Sequence, residues 1–207
     1  VPIGGGKDSL VTFEILKSHY QLNWFCLNPT KSVKQIFKAT DIRSPIIVTR
    51  IIDPKLIELN YLGYLNGHTP FSAYLAFLSS ACALIFDYQW VAVSNERSSD
   101  EGNTLYKGRV INHQYSKSLD FETNFQAYWQ QYIANTSGYY SLLRPLYELQ
   151  IAKIFARFPK YFPLFKSCNK KQKSGAWCGQ CPKCLSIALT LLPWTDVKTI
   201  KNIFNGN

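Results

Sequence analysis

The chain has 207 residues, of which 46% are hydrophobic and 17% are charged, and its formal net charge is +10 at pH 7. This length and composition predict a globular protein with one substantial core and exclude a disordered chain. The longest apolar stretch, residues 71–86, contains three serines and is shorter than the ~20 residues of a membrane span. No secretory leader is visible, so we expect a cytoplasmic protein without a membrane span.

The positive charge is concentrated in the last third of the chain. From Arg144 onward, eleven Lys and Arg residues accompany only two acidic residues, Glu148 and Asp196. Such a segment favours an anionic partner, which could be a nucleotide, a nucleic acid or another polyanion. Few aromatic residues alternate with these lysines, so nucleic acid is the less favoured partner. A solvated, lysine-rich surface is the other interpretation.

A glycine loop lies close to the start of the sequence. Residues 4–9 read Gly-Gly-Gly-Lys-Asp-Ser, between the apolar residues 1–3 and a helical pattern over residues 10–16. A loop in this place leaves backbone N–H groups and the positive end of the helix dipole free to bind a phosphate. Its spacing differs from the common kinase-type phosphate loop and from the Gly-x-Gly-x-x-Gly of dinucleotide folds. An ordinary glycine turn before a helix is the alternative.

Short apolar strands alternate with helical patterns along the first two thirds of the chain. This order predicts right-handed βαβ crossovers and an α/β fold, with a mostly parallel sheet that has helices on both faces. Ligands of such sheets bind beyond the carboxyl ends of the strands, where the glycine loop and a polar run at residues 94–103 lie. The predicted strands are residues 1–3, 22–27, 45–52 and 90–94.

The predicted helices follow the same alternation. The first ends near residue 18, and the others cover residues 32–40, residues from Pro54 to a break at 66–70, residues from that break to 86, and residues 119–134. Asp53 is the expected N-cap of the third helix. In the last helix, aromatic residues at helical spacing are predicted to face the core, namely Phe121, Phe125, Tyr128, Trp129 and Tyr132.

The polar run at residues 94–103 places acids, an arginine and amides in one loop. It is too polar for the core and too mixed in charge for a simple linker. Its carboxylates are candidates for binding Mg²⁺ or transferring protons, and Arg97 is a candidate for neutralising a phosphate or a carboxylate. His113 and Lys117 follow as candidate substrate contacts. A solvated turn remains the alternative for the run, and a structural role remains the alternative for His113.

Four cysteines near the end of the chain, Cys168, Cys178, Cys181 and Cys184, are spaced C-x9-C-x2-C-x2-C. Thiolates at this spacing can bind one tetrahedral Zn²⁺, and a site closed by four thiolates has a structural rather than a catalytic role. An iron–sulfur cluster fits the same ligands. Disulfides are less favoured in a chain without a secretory signature. Cys26 and Cys82 lie in apolar runs and are predicted to be small core residues.

The glycine loop resembles that of the N-type ATP pyrophosphatases, usually written Ser-Gly-Gly-x-Asp-Ser, with Gly4 in place of the serine. Together with the four cysteines it is similar to the 7-cyano-7-deazaguanine synthases, which adenylate a carboxylate and carry zinc. The complete set of motifs more closely resembles the bacterial UDP-N-acetyl-α-D-muramoyl-L-alanyl-L-glutamate epimerases. The motifs that carry this resemblance are residues 4–9, 66–70, 94–98, 101–103, 112–118, 141–146, 148–152, 167–169 and 177–184.

The resemblance implies an adenine-nucleotide α-hydrolase-like fold and an enzyme that uses ATP and Mg²⁺. The family inverts the terminal L-glutamate of a nucleotide-sugar dipeptide, a peptidoglycan precursor, and releases AMP and pyrophosphate. Adenylation removes the negative charge beside the α-carbon, so a base can take the α-proton and an acid can return a proton to the other face. Hydrolysis of the adenylate then gives the inversion its direction.

The resemblance also assigns residues to these steps. The expected ATP-binding residues are Gly4, Gly5, Gly6, Lys7, Asp8 and Ser9, of which Asp8 is also a candidate for Mg²⁺. The acid and base are expected among Glu96, Asp100, Glu101, His113 and Tyr115. The expected substrate-binding residues are Arg97, Lys117 and Arg144. The expected ligands of a structural zinc are Cys168, Cys178, Cys181 and Cys184.

We expect an ATP-binding domain over residues 1–160 and a four-cysteine subdomain over residues 161–207 packed against it. Members of the family usually carry a sizeable domain before the glycine loop, so we also expect sequence upstream of Val1. Two other functions stay open. One is an adenylating enzyme that modifies a nucleobase or tRNA, and the other is a zinc-stabilised RNA-binding module without catalysis.

Overall fold

The computed structural model describes residues 1–65, 70–171 and 174–204. It has a mixed helix and sheet architecture, as the sequence predicts. The helices are α1 (Lys7–Leu16), α2 (Lys31–Ala39), α3 (Pro54–Tyr61), α4 (Phe71–Ile85), α5 (Leu119–Tyr132), α6 (Glu148–Phe155), α7 (Pro182–Leu191) and α8 (Val197–Ile203). The strands are β1 (Phe25–Leu27), β2 (Ile46–Val48), β3 (Trp90–Val93), β4 (Thr104–Tyr106), β5 (Arg109–Ile111) and β6 (Gly138–Ser141).

The predicted helix and strand starts agree closely with this structure where a local signal marks them. Asp53 caps α3, because its carboxylate accepts a hydrogen bond of 2.8 Å from the N–H of Lys55. The predicted break between α3 and α4 falls largely on residues 66–69, which lie outside the described residues. The 3₁₀ turn at Arg97–Asp100 lies within the predicted polar run.

Strand pairing divides the described strands into three small groups. β1 pairs in parallel with β2, and the N–H of Ile3 donates to the carbonyl of Phe25 on its other side at 2.9 Å. β3 pairs in parallel with β6, and β4 forms an antiparallel hairpin with β5. The parallel pairs agree with the prediction. The sheet is nevertheless small, and these described strands do not form the single, mostly parallel sheet that the sequence predicts.

A cavity of about 920 Å³ lies between the β1–β2 pair and the β3–β6 pair. It is lined by large side chains from both, including Trp24, Phe25, Trp90 and Tyr140. Pro2, beside β1, also lines it and has no N–H to donate to a neighbouring strand.

The main core surrounds α1. Eight of the ten residues of α1 are buried, and Leu10, Val11 and Phe13 pack in one cluster with residues of α2, α6 and α7. This cluster also contains three of the four cysteines near the end of the chain, so it takes in residues on both sides of the predicted domain boundary at 160. That boundary stays a prediction. The predicted core cysteines Cys26 and Cys82 are both buried.

A smaller core lies between α4, α5 and the β3–β6 pair. Phe125 and Trp129 of α5 are buried in it, as predicted, together with Tyr139 of β6. Tyr128 and Tyr132 are instead 48% and 65% exposed, so the predicted aromatic face of α5 is only partly in the core. Their phenol groups can remain in water while the rings cover neighbouring apolar surface. No helix in the described part of the chain has the length and apolarity to cross a membrane.

Glu14 is a buried acid on α1 that joins this helix to the segment after α6. Its side chain is 2% exposed, and its oxygens lie 2.5 Å from Lys17 Nζ, 2.9 Å from Lys160 Nζ and 2.5 Å from the hydroxyl of Tyr161. Burial alone raises the pKa of Glu14, but hydrogen bonds from Lys17, Tyr161 and Lys160 outweigh it and hold the pKa below its usual value. Glu14 is therefore ionised in the folded protein.

We expect Glu14→Gln to lower the free energy of unfolding at pH 7 by about 2 kcal/mol, because hydrogen bonds to a buried charged group are lost. Since the folded-state pKa is depressed, the wild-type carboxylate contributes its stability above its unfolded pKa and loses it as the pH falls through the folded pKa. Urea unfolding at pH 7 and at acid pH measures both effects. Glu58→Gln is the matched control, because the ion pair of Glu58 with Lys55 is exposed on both sides. An equal loss in the two variants would contradict the expectation.

Candidate functional site

The glycine loop is held against a segment near the end of the chain. The carbonyl of Gly5 accepts a hydrogen bond of 2.8 Å from the N–H of Lys166, and Gly5 has a φ of 97° that favours glycine. A Cβ at Gly5 would lie 3.3 Å from the carbonyl oxygen of Lys166, whereas a Cβ at Gly4 would meet no atom within 4 Å. The loop is thus supported on one side and open on the other.

The N-terminus of α1 follows directly, with Gly6 as its N-cap, and among the residues that the structure describes no side chain caps the N–H groups of its first turn. Uncapped N–H groups at a helix start are suited to an anion. The hydroxyl of Ser9 donates to the carbonyl of Gly6 at 3.2 Å, so this side chain stabilises the turn. The predicted phosphate-binding loop therefore leads into a helix as expected. Residues 1–3 before it form only an isolated parallel bridge, between Pro2 and Phe25, so the predicted strand at residues 1–3 is wrong.

Three helices begin at the same place. Lys7, the first residue of α1, is 3% exposed, and its Nζ lies 2.6 Å from Asp8 Oδ1 and 3.4 Å from Glu148 Oε1. Glu148 is the first residue of α6. Lys183 is the second residue of α7, and its Nζ lies 3.6 Å from the same oxygen of Glu148. Partial burial opposes ionisation of Glu148, but the charges of Lys7 and Lys183 hold its pKa below the usual value.

A polar pocket of about 380 Å³ lies beside this point. Five of the predicted site residues line it, namely Asp8, Glu96, Glu101, His113 and Lys117. The other polar side chains that line it include Ser94, Asn95, Asn103, Asn112, Glu148 and Lys183. The structure thus places the polar run after β3 next to the glycine loop, as the predicted positions at the carboxyl ends of the strands require.

The acid and the imidazole of this pocket are held by neighbouring polar groups. Glu96 accepts a hydrogen bond of 3.1 Å from the N–H of Ser98 and another from the Ser98 hydroxyl. His113 Nδ1 contacts the amide of Asn103, and His113 Nε2 lies 3.3 Å from the amide nitrogen of Gln114. Burial lowers the pKa of Lys117, and the nearby charge of Lys183 lowers it further. The pocket therefore combines carboxylates, an imidazole and ammonium groups, which together can transfer protons and bind anions.

Four other predicted site residues do not line this pocket in the described part of the chain. Their side chains contact residues outside it. Asp100 accepts a hydrogen bond of 2.7 Å from the N–H of Leu119 at the start of α5. The hydroxyl of Tyr115 donates to Asp120, and this contact raises the pKa of the phenol. The guanidinium of Arg97 lies 5.2 Å from the centre of the Tyr147 ring.

Arg144 is the fourth of these residues, and it stabilises the polar run by joining it to α5 and β6. Its side chain is 14% exposed, and its Nη2 lies 2.9 Å from Glu122 Oε2 and 3.2 Å from the hydroxyl of Ser141. Its Nη1 reaches the hydroxyl of Ser99 at 3.3 Å. Arg144 thus connects α5 and the end of β6 to the turn that carries Glu96. Its predicted contact with the substrate stays a prediction.

Sequence reasoning assigned no site role to Glu148 or Lys183. A signal for each was present in the sequence. Glu148 begins a helix within a motif that carries the family resemblance, and Lys183 lies between two cysteines that were already predicted to share one metal. The local sequence did not indicate that the two side chains contact each other, because this contact depends on the packing of α6 against α1 and α7.

The four predicted cysteine ligands are brought together by the fold. Their sulfur atoms all lie within 4.8 Å of one another, and three of the separations are 3.4, 3.8 and 3.9 Å. Four sulfurs at ~2.3 Å from one tetrahedral zinc lie about 3.8 Å apart, so the spacing suits such an ion. The N–H groups of Lys171 and Gln180 donate to two of the sulfurs at 3.4 Å each. The cluster could bind a metal ion and is compatible with zinc.

Two protein-family models match the chain. The MurL N-terminal domain matches residues 1–142, and the MurL C-terminal domain matches residues 164–207. The N-terminal match covers the glycine loop and the polar run after β3. The C-terminal match covers all four cysteines and Lys183.

Curated relatives are similar over the whole chain. Proteins named UDP-N-acetyl-alpha-D-muramoyl-L-alanyl-L-glutamate epimerase from Micromonospora and from Salinispora tropica are each 36% identical over 210 residues, which is 99% of this chain. A protein of the same name from Xanthomonas oryzae pv. oryzae is 36% identical over 217 residues. The chain spans only 46–47% of the length of these relatives. On both family-model matches and this identity, the chain belongs to the MurL family, as the motifs of the sequence predict.

Proposed function

We propose that the chain carries the catalytic site of an ATP-dependent epimerase that converts the terminal L-glutamate of UDP-MurNAc-L-Ala-L-Glu to D-glutamate. The proposal includes the adenine-nucleotide α-hydrolase-like fold and the cytoplasmic location that the sequence resemblance implies. The observation that carries it is the position of the uncapped glycine loop beside a pocket lined by Asp8, Glu96, Glu101, His113 and Lys117. Relatives named for this epimerisation support the choice of substrate.

In the proposed first step, the substrate carboxylate attacks the α-phosphorus of ATP and pyrophosphate leaves. The N–H groups at the start of α1 and the ammonium of Lys7 would stabilise the negative charge on the phosphates. Asp8, 38% exposed at the pocket, would take part in binding Mg²⁺, because a hard cation prefers carboxylate oxygens. The product of this step is a mixed anhydride in which the α-carbon no longer lies beside a carboxylate.

In the proposed second step, one pocket residue removes the α-proton and another returns a proton to the opposite face. We place this acid–base pair among Glu96, Glu101 and His113, since these line the pocket while Asp100 and Tyr115 are bound to α5. The cation of Lys117 would stabilise the enolate-like charge that develops between the two transfers. Water then hydrolyses the anhydride and releases AMP.

The proposal is tested by incubating protein produced from the full gene with ATP, Mg²⁺ and UDP-MurNAc-L-Ala-L-Glu. We expect AMP and pyrophosphate in equal amounts and D-glutamate after hydrolysis of the product. Asp8→Asn should lower the rate about a hundredfold, the scale on which a lost charge-stabilising group acts. Asp41→Asn is the matched control, because Asp41 is exposed and pairs only with Arg43 in the described structure.

Two outcomes would contradict this assignment. Release of AMP with only L-glutamate recovered would leave an adenylating enzyme with a different second step. Release of AMP only with tRNA or a deazapurine acid would favour the nucleobase-modifying function. Chiral chromatography of the glutamate and quantification of AMP distinguish these cases.

Gly5→Ala should weaken ATP binding at least about tenfold. The added methyl group would lie 3.3 Å from the carbonyl of Lys166 and would force a φ of 97° on a residue that disfavours it by about 1–2 kcal/mol. Gly63→Ala is the matched control, because Gly63 has a φ of 82° but an added Cβ there would meet no atom within 4 Å. Titration calorimetry with ATP and Mg²⁺ measures the ATP affinity of both variants. Unchanged affinity in Gly5→Ala would contradict the assignment of the loop to phosphate.

We also propose that the cysteine cluster binds one structural zinc per chain. Removing zinc should lower the melting temperature by about 10 °C. The lost binding energy lowers the free energy of unfolding by several kcal/mol, and in a chain of this size each kcal/mol lowers the melting temperature by roughly 2–4 °C. Cys178→Ser should lose the metal, whereas Cys82→Ser, at a buried thiol outside the cluster, should retain it. Elemental analysis gives the stoichiometry. Iron and sulfide with visible charge-transfer absorption would instead identify an iron–sulfur cluster.

A further inference from the structure

Lys183 connects the cysteine cluster to the polar pocket. It lies on the first turn of α7, directly between Pro182 and Cys184. Its side chain is 35% exposed, and its Nζ lies 3.6 Å from Glu148 Oε1. The residue is therefore part of the pocket lining while its backbone belongs to the four-cysteine motif.

The cysteines on either side determine where the backbone of Lys183 lies. Cys181 is the N-cap of α7, and its sulfur lies 3.4 Å from that of Cys184. Both cysteines are buried in the main core. A metal bound by these two sulfurs would link the N-cap of α7 to its third residue, so it would fix the turn that directs Lys183 toward Glu148.

The charge of Lys183 is only loosely matched by its surroundings. Asp8 lies 2.6 Å from Lys7, so it is already engaged with that residue. Glu148 Oε1 lies 3.4 Å from Lys7 and 3.6 Å from Lys183, and this buried oxygen has no hydrogen bond in the described structure. Lys117 is the other lysine that lines the pocket, and the charge of Lys183 acts on it. The ammonium groups of Lys117 and Lys183 share the pocket with four carboxylates, and in the described part of the chain Glu148 is the one that lies within 4 Å of Lys183. An ammonium group with so loose an ion pair is suited to bind a phosphate.

We propose that Lys183 binds a phosphate group of the ligand in the polar pocket, and that metal at the cysteine cluster raises the affinity for this phosphate by fixing the first turn of α7. The inference rests on the proposed function, because it takes the pocket as the nucleotide site. The phosphate belongs either to ATP or to the diphosphate of the nucleotide sugar. Coupling of this kind is reciprocal, so bound phosphate must also strengthen the binding of the metal.

The first test measures the dissociation constants of ATP with Mg²⁺ and of UDP for the metal-loaded, full-length protein. Lys183→Ala should weaken one of the two ligands about tenfold, with unchanged metal content and melting temperature. Lys183→Arg should restore most of the affinity, because it restores the charge. Lys198→Ala is the matched control, since Lys198 is an exposed lysine of α8 outside the pocket.

The outcomes separate this inference from the proposed function. Loss of ATP affinity alone assigns Lys183 to ATP, and loss of UDP affinity alone assigns it to the nucleotide sugar. If the wild type binds ATP and Asp8→Asn does not, while Lys183→Ala binds both ligands normally, the inference is overturned and the proposed function stands. If the wild type binds neither ligand, both are overturned.

The second test measures the coupling without removing the metal in advance. The rate at which zinc is released to a chromogenic chelator is followed with and without the ligand that Lys183 binds. We expect the ligand to slow the release several-fold in the wild type and to have no effect in Lys183→Ala. Equal slowing in both proteins would overturn the coupling, because the ligand would then stabilise the cluster by another route.

Discussion

The structure depends on one constraint, which is that α1 is buried along most of its length and yet carries charged residues at both ends. Lys7 and Glu14 are each almost inaccessible, and a buried charge is costly unless it is paired. Their partners outside α1 come from the last third of the chain, with Glu148 facing Lys7 and Lys160 and Tyr161 facing Glu14. The packing of α6 and the following segment onto α1 is therefore required by electrostatics as well as by apolar contact. This gives part of the basic segment a structural role that its charge alone did not indicate.

The same constraint forms the candidate site. Because Glu148 must approach Lys7, the start of α6 lies at the start of α1, and α7 packs against α6 so that Lys183 reaches the same carboxylate. The glycine loop is supported from the same side, through the hydrogen bond from Lys166 to Gly5. Residues more than 140 positions apart thus form one end of a single pocket. The burial of α1 and the geometry of the proposed phosphate site are consequences of the same contacts.

Local sequence signals predicted most elements up to α5 but not the contacts between distant residues. The elements after α5, namely β6, α6, α7 and α8, were not predicted. The cap at Asp53 and the glycine loop were predictable because each depends on residues a few positions apart. The β4–β5 hairpin was missed, since its strands are exposed on both faces and lack the alternation of a half-buried strand. Arg144 was predicted as a substrate-binding residue from the family resemblance, but its partner Glu122 lies 22 positions away on α5 and was not predicted. The cysteine cluster was predicted because cysteines separated by only two residues must lie close together in space.

The arrangement of charge along the pocket also orders the proposed chemistry. Lys7, Glu148 and Lys183 meet at one end, beside the helix starts. Glu96 belongs to the run after β3, and Lys117 is influenced by both groups, since the charges of Lys183, Asp8 and Glu96 all act on it. Lys117 therefore interacts electrostatically both with the cationic end and with an acid of the polar run. In the proposed function, the group that binds phosphate and the group that stabilises the developing enolate are different lysines, Lys7 and Lys117. Because Lys117 is affected by charges of both groups, a change at the cationic end would also alter the lysine that serves the proton transfers.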